Sequence, residues 1–96
     1  MRNTNTFAQT LRMIWIDAVI TEDGEINRSD IMRAFLISTP QASADLGRYQ
    51  RLYPRQIYYD RSDKCYRRIE DAPPVYSSSA HRAAFDAVRA VLEVET

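Results

Sequence analysis

Only two glycines, one cysteine, one histidine and one lysine occur among the 96 residues. Two glycines leave no room for a glycine-rich phosphate loop. A lone Cys65 forms no internal disulfide, and one cysteine with one histidine falls short of a zinc ligand set. His81 has no acidic or cysteine partner at catalytic or metal spacing and reads as a surface or interface side chain. Cys65 lies in a strand-like stretch without a nearby histidine and reads as a small core residue. No apolar run approaches the length that spans a bilayer, and the opening MRNTNTF lacks the apolar core of a secretory signal. The expectation is a cytoplasmic protein with a reduced thiol, not an enzyme, with no metal, no cofactor, no membrane contact and no evident small-molecule effector.

What is present is the makeup of one small domain, 45% hydrophobic and 27% charged. So short a chain buries a limited core and often gains stability from a partner subunit. The formal net charge of zero hides an asymmetry. Over residues 46–68, Arg48, Arg51, Arg55, Arg61, Lys64, Arg67 and Arg68 face only Asp60 and Asp63, while acids outnumber bases on either side. All cations but Lys64 are arginine, whose planar fork matches phosphate oxygens and guanine edges. A positive segment in a neutral chain is how a nucleic-acid footprint reads, against the blander alternative of a solvated charged face.

A first helix is expected after Thr4, Asn5 and Thr6, running to about Ile20, with Phe7, Leu11, Ile14, Trp15, Ala18 and Val19 as its apolar stripe. Trp15 reads as a central core residue, and Gly24 suits a left-handed turn. A second, short helix opens at Asn27 with Asp30 at its third position, turns Ile31, Met32, Phe35 and Leu36 inward, and closes by Phe35 or Leu36. A third begins at once, in one of two registers. Ser38 with Gln41 fits a capping box, and Thr39 before Pro40 fits an N-cap. Ile37, Ala42, Leu46, Tyr49 and Leu52 give its buried face, and Pro54 ends it. Residues 56–60 (QIYYD) and 65–69 (CYRRI) form a β-hairpin across the polar turn 61–64.

The fold class is therefore α+β and mostly helical: a winged helix-turn-helix of three helices and a two-stranded wing, with an additional C-terminal helix. Residues 1–69 are the DNA-binding domain, 70–79 a linker rich in proline and serine, and 80–96 the last helix, capped by Ser79. In such a unit the helix after the tight turn enters the major groove of double-stranded DNA. Small or hydrogen-bonding side chains at its start permit approach, which Ser38, Thr39, Gln41, Ser43 and Ala44 supply. Gln41 can pair with adenine, and Ala44 and the Thr39 methyl can touch a thymine methyl. Arg48 and Arg51 reach phosphate or guanine, while Arg61 and Lys64 at the wing tip, with Arg67 on the return strand, reach the backbone. Tyr58, Tyr59 and Tyr66 divide between core and surface in a way the sequence leaves open. Gly47 inside a helix costs about 1 kcal/mol relative to alanine. Close approach to DNA or to the first helix and simple tight packing are equal readings of it.

The segments INRSD (26–30), ISTPQAS (37–43), the residues around Asp45 and Gln50, and YDRSDKCY (59–66) resemble the N-terminal winged helix-turn-helix of WYL-domain transcriptional regulators. The nearest branch is the repressors that guard phage-defence gene clusters, and the likeness covers residues 10–68. It implies a homodimer that binds inverted repeats and represses a promoter. It also implies that Ser38, Thr39, Gln41, Ser43 and Arg48 face the groove, with Arg61 and Lys64 on the wing. Leu36 stands where that family carries glycine, which implies a shifted interhelical angle. The family continues into a ligand-sensing and a dimerisation domain, so this sequence is either a free-standing relative or the DNA-binding part of a longer regulator.

Pairing then falls to the last helix, where Ala84, Phe85, Val88 and Leu92, with Val91, form a narrow stripe. The competing reading packs that stripe on the first helix of the same chain. A different class of function, a protein-interaction adaptor that keeps the scaffold without touching DNA, suits the acidic ends of the chain.

Overall fold

The computed structural model describes residues 6–95. Helix α1 (Phe7–Asp23) starts at a capping box in which Thr6 Oγ1 accepts from the Gln9 amide (3.1 Å) and the Gln9 side chain accepts from the Thr6 amide (3.0 Å). Thr4 and Asn5 lie outside the described residues. The helix runs three residues past Ile20 and stops where Gly24 takes φ +79. Strand β1 (Glu25–Ile26) follows, then α2 (Arg28–Phe35), whose capping box joins Asn27 and Asp30.

Leu36 ends α2 with φ 55 and ψ 44, the left-handed conformation that glycine would adopt at no steric cost. The expected inward position for Leu36 is corrected, since a left-handed residue leaves the helical face and its side chain is 58% exposed. Helix α3 (Thr39–Leu52) takes the first of the two registers: Ser38 is the cap, accepting from the Gln41 amide at 3.3 Å, with Pro40 in the first turn. Strands β2 (Ile57–Asp60) and β3 (Cys65–Arg68) form the hairpin.

The sheet has three strands in the order β1-β3-β2, all antiparallel, with Ile26 opposite Tyr66 and Tyr59 also opposite Tyr66. The expected two-stranded wing thus gains a third strand, too short at two residues to show an alternating pattern in sequence.

Helix α1 is the central post. Met13, Trp15, Ile16, Ala18, Val19 and Ile20 are all buried, as are Arg12 and Asp17, because α2 and α3 pack on one side and α4 (Ser78–Glu95) on the other. A helix covered from two sides loses its single stripe. Phe7, assigned to that stripe, lies beyond this cover and is 85% exposed. Trp15 meets Phe35 edge to face at 5.5 Å. Leu52, also expected inside, is exposed, whereas Tyr53, one residue later, is half-buried; Val91 of the α4 stripe is exposed as well.

Helix α4 begins at Ser78, not after Ser79. The Ser77 hydroxyl accepts from the Ala80 amide at 3.1 Å, so the cap lies two residues earlier. Ala84 and Val88 are buried in the chain's own core, which leaves them unavailable as a contact between subunits, while Phe85 and Leu92 pack against its edge. Packing on the same chain, the competing reading, thus accounts for Ala84 and Val88.

Candidate nucleic-acid interface

Two buried carboxylates fix α3 and the segment after the wing against α1. Asp45 on α3 accepts from Arg12 Nε at 2.6 Å and from the Gln41 side-chain Nε2 at 3.0 Å. Asp17 on α1 accepts the Tyr49 hydroxyl (2.5 Å), the Val75 and Tyr76 amides (Tyr76 at 2.9 Å) and His81 Nε2 (2.7 Å). Burial, then the Asp17 carboxylate, pushes the Tyr49 hydroxyl far above the ordinary tyrosine range. Tyr76 is raised too, by burial and by its hydrogen bond to Tyr53.

His81, expected at the surface or an interface, is therefore a buried partner of Asp17. A His–Asp pair invites a catalytic reading, but here the carboxylate is 1% exposed and its oxygens serve structural donors. Burial raises the Cys65 thiol pKa. Among the described residues no group of three or more His, Cys, Asp or Glu side chains could hold a metal, and no helix is long and apolar enough to cross a membrane.

With Ala42, Asp45, Leu46 and Tyr49 turned inward, the opposite face of α3 presents Pro40, Ala44 and Arg51, all exposed, with Gly47, Ser43 and Arg48 partly so. A Cβ at Gly47 would meet only the end of the Arg51 side chain, 3.3 Å away, so no packing against α1 demands glycine there. Ser38 and Thr39 are exposed at the helix start, but the Ser38 hydroxyl caps the helix and Thr39 Oγ1 points to Met32 Sδ at 3.4 Å. Gln41 holds Asp45, so an adenine contact requires it to let go. Arg48 is half-buried, with its charge acting on Tyr76.

At the wing tip the Asp60 carboxylate accepts the Ser62 (2.9 Å) and Asp63 (3.2 Å) amides, and Arg61 and Lys64 stand exposed. Arg67 departs from expectation. Its guanidinium bonds Asp60 (2.8 Å), Glu25 (2.7 Å) and Asp63, tying β1 to the hairpin rather than reaching outward. That guanidinium, with the Asp63 and Ser62 amides, holds the Asp60 carboxyl below the usual carboxylate range. Arg67 offsets one of these three negative charges and draws their carboxylates to itself, and none of them pairs with Arg61 or Lys64. Tyr58 and Tyr59 are each about half exposed, and Tyr59 meets Tyr66 edge-on at 5.0 Å.

Arg28 was missing from the expected contact set. It is exposed in the first turn of α2, beside the same cleft as Ser43 and Lys64. Its place directly after the Asn27 cap was the available signal.

Two helices joined at a tight turn, the second with an open polar face, and a hairpin beside them define a winged helix-turn-helix domain. The profile of the BrxR transcriptional regulator winged helix-turn-helix domain matches residues 8–90, and the chain belongs to that family. It is similar to proteins named DNA-binding transcriptional repressor CapW. With that of Stenotrophomonas maltophilia it shares 42% identity over 73 residues, covering 76% of this chain and 24% of the relative. With that of Escherichia coli (strain KTE188) the identity is 42% over 74 residues, 77% and 25% of the two chains. With that of Pseudomonas aeruginosa it is 37% over 90 residues, 93% and 30%. The chain thus spans between about a quarter and a third of the length of these curated relatives.

Proposed function

We propose that this chain is the DNA-binding module of a cytoplasmic transcriptional repressor that reads double-stranded DNA with the outer face of α3. In this reading Ser43, Ala44, Arg48 and Arg51 approach base edges or groove-side phosphates, Ser38, Thr39 and Gln41 flank them, and Arg61 and Lys64 follow the backbone from the wing. The observation that carries it is the conjunction of an exposed, small-residue helix face with cations at its edge and at the adjacent wing tip. Among the described residues Arg51, Arg61 and Lys64 are held by no carboxylate. The names of the CapW relatives support the same reading.

A single unit contacts one half-site, and two units at helical-turn spacing match an inverted repeat. We place the pairing contact on Phe85 and Leu92, which remain half exposed beside Trp15 in an open groove. The same groove is the one observation favouring the second reading, an adaptor that binds protein and not DNA.

The test is fluorescence anisotropy with duplex from the region upstream of the chain's own gene, against random duplex at moderate salt. Affinity at least 10³-fold higher for the specific duplex is the expected order for a specific binder. Equal affinity for both duplexes contradicts the repressor reading. Charge reversal at Arg48 and Arg61 that leaves function intact, with loss on Phe85→Asp, establishes the adaptor.

A further inference from the structure

The geometry points to a dedicated seat for one phosphate of the DNA backbone, in the cleft where α2, α3 and the wing meet. This inference rests on the DNA-binding reading above and adds to it a residue and a subsite. The cleft, about 270 Å³, is lined by Asn27, Arg28, Ser43, Leu46, Tyr59, Lys64 and Tyr66. Its polar groups come from three elements far apart in sequence. Arg28 opens α2, Ser43 lies one turn into α3, and Lys64 closes the wing turn with a left-handed φ of 54.

In a chain with as many acids as bases, this lining has two cations and no carboxylate. The nearest acid of α2, Asp30, is already engaged by the Asn27 amide and by Arg33 at 2.9 Å. Neither Arg28 nor Lys64 is held by an acid among the described residues. Two unneutralised cations, a serine hydroxyl and a tyrosine edge are the complement of a monoanionic phosphodiester. The volume lies below the range of small-molecule sites, about 300–1,000 Å³. Position decides between sources of phosphate. Ser43 also belongs to the outward face of α3, so an anion in the cleft sits where the strand bordering an occupied major groove must pass.

The two cations play a different part from any side chain that reads a base. A phosphate contact fixes register and carries no base preference, whereas a base contact does. Holding one phosphate between α2 and the wing sets the depth and angle at which α3 lies in the groove. Lys64 reaches the seat only because the wing turn places it there, and that turn is built by Asp60 and braced by Arg67.

The experiment is a salt series of anisotropy titrations on wild type, Arg28→Gln and Lys64→Gln with specific and random duplexes. It is joined to a scan in which single linkages of the specific duplex are made neutral methylphosphonates. Each variant is expected to weaken both duplexes by the same factor and to flatten the log affinity against log salt slope by about 0.9. One linkage is expected to weaken wild type while leaving Arg28→Gln unaffected. Both side chains are exposed, so urea midpoints should match wild type and exclude misfolding as the cause. Unchanged slopes, or losses that couple to no linkage, overturn the seat while wild-type sequence preference keeps the wider reading intact. Wild type that binds no duplex overturns both. Inorganic phosphate that saturates amide shifts at Arg28 and Lys64 below millimolar, at matched ionic strength, reassigns the cleft to a free anion and overturns the backbone assignment.

Discussion

Leu36 and Gly47 are misplaced by ordinary propensity, and each carries a separate meaning. Leu36 holds a left-handed conformation that strains an L-residue by about 1–2 kcal/mol, with its side chain largely in water. Leu36→Gly relieves that strain and gives back part of it through the freer unfolded chain. A net gain of several tenths to about 1 kcal/mol is expected in urea unfolding, with α2 and α3 unmoved; a loss contradicts the account. The reverse logic applies at Gly47, where a methyl group would touch only the end of the Arg51 side chain. Gly47→Ala should therefore stabilise the fold by up to about 1 kcal/mol. If the helix backbone presses against the groove there, the same substitution weakens DNA binding. Higher stability with unchanged affinity would show that Gly47 serves no approach. The cap at Asn27 was legible in sequence because it acts within three residues, while at α3 the sequence left Ser38 and Thr39 both open. The role of Leu36 was not, since the sequence alone showed an apolar residue at a helix end.

At the scale of elements, the helices and the hairpin followed from periodicity and turn residues, while the links between them did not. The Arg12–Asp45 pair joins residues 33 apart, and Asp17 gathers donors from α3, the segment after β3 and α4. No local pattern announces such contacts. They explain why His81 is inside and why residues 75 and 76 are bound to α1 rather than swinging as a linker. Asp17→Ala would leave a tyrosine hydroxyl, a histidine and two amides without their acceptor in the interior. A loss of about 3 kcal/mol or more is expected from denaturant curves; a loss under 1 kcal/mol contradicts the assigned role.

The wing has its own dependence on acid. Asp60 has a folded pKa below the unfolded value of about 3.9, so its contribution is complete above that value and vanishes as pH falls through the folded one. The Ser62 and Asp63 amide resonances should titrate together with an apparent pKa below about 3.9. A midpoint at or above it contradicts the Arg67–Asp60 brace.

For the molecule as a whole, charge and shape divide the surface. The side formed by α3 and the wing carries exposed cations, while a groove between α1, α2 and α4 has Trp15, Phe85 and Leu92 at its apolar centre. The basic segment was legible from the order of charged residues. Its refinement was not: Arg67 is held along the sheet by three carboxylates, and Arg28, from an acidic stretch of sequence, joins the cationic side. Folding brings together residues that linear charge counting keeps apart. The same holds for α4, whose stripe in sequence favours a partner slightly over α1 and in the fold buries Ala84 and Val88 in the chain's own core.

The most direct test of the α3 face is a map of backbone amide shifts on titration with the specific duplex. The account predicts the largest changes at residues 43–51 and 61–64 and at Arg28, with little change along the exposed side of α4. Changes concentrated at Trp15, Phe85 and Leu92, with α3 silent, would contradict it.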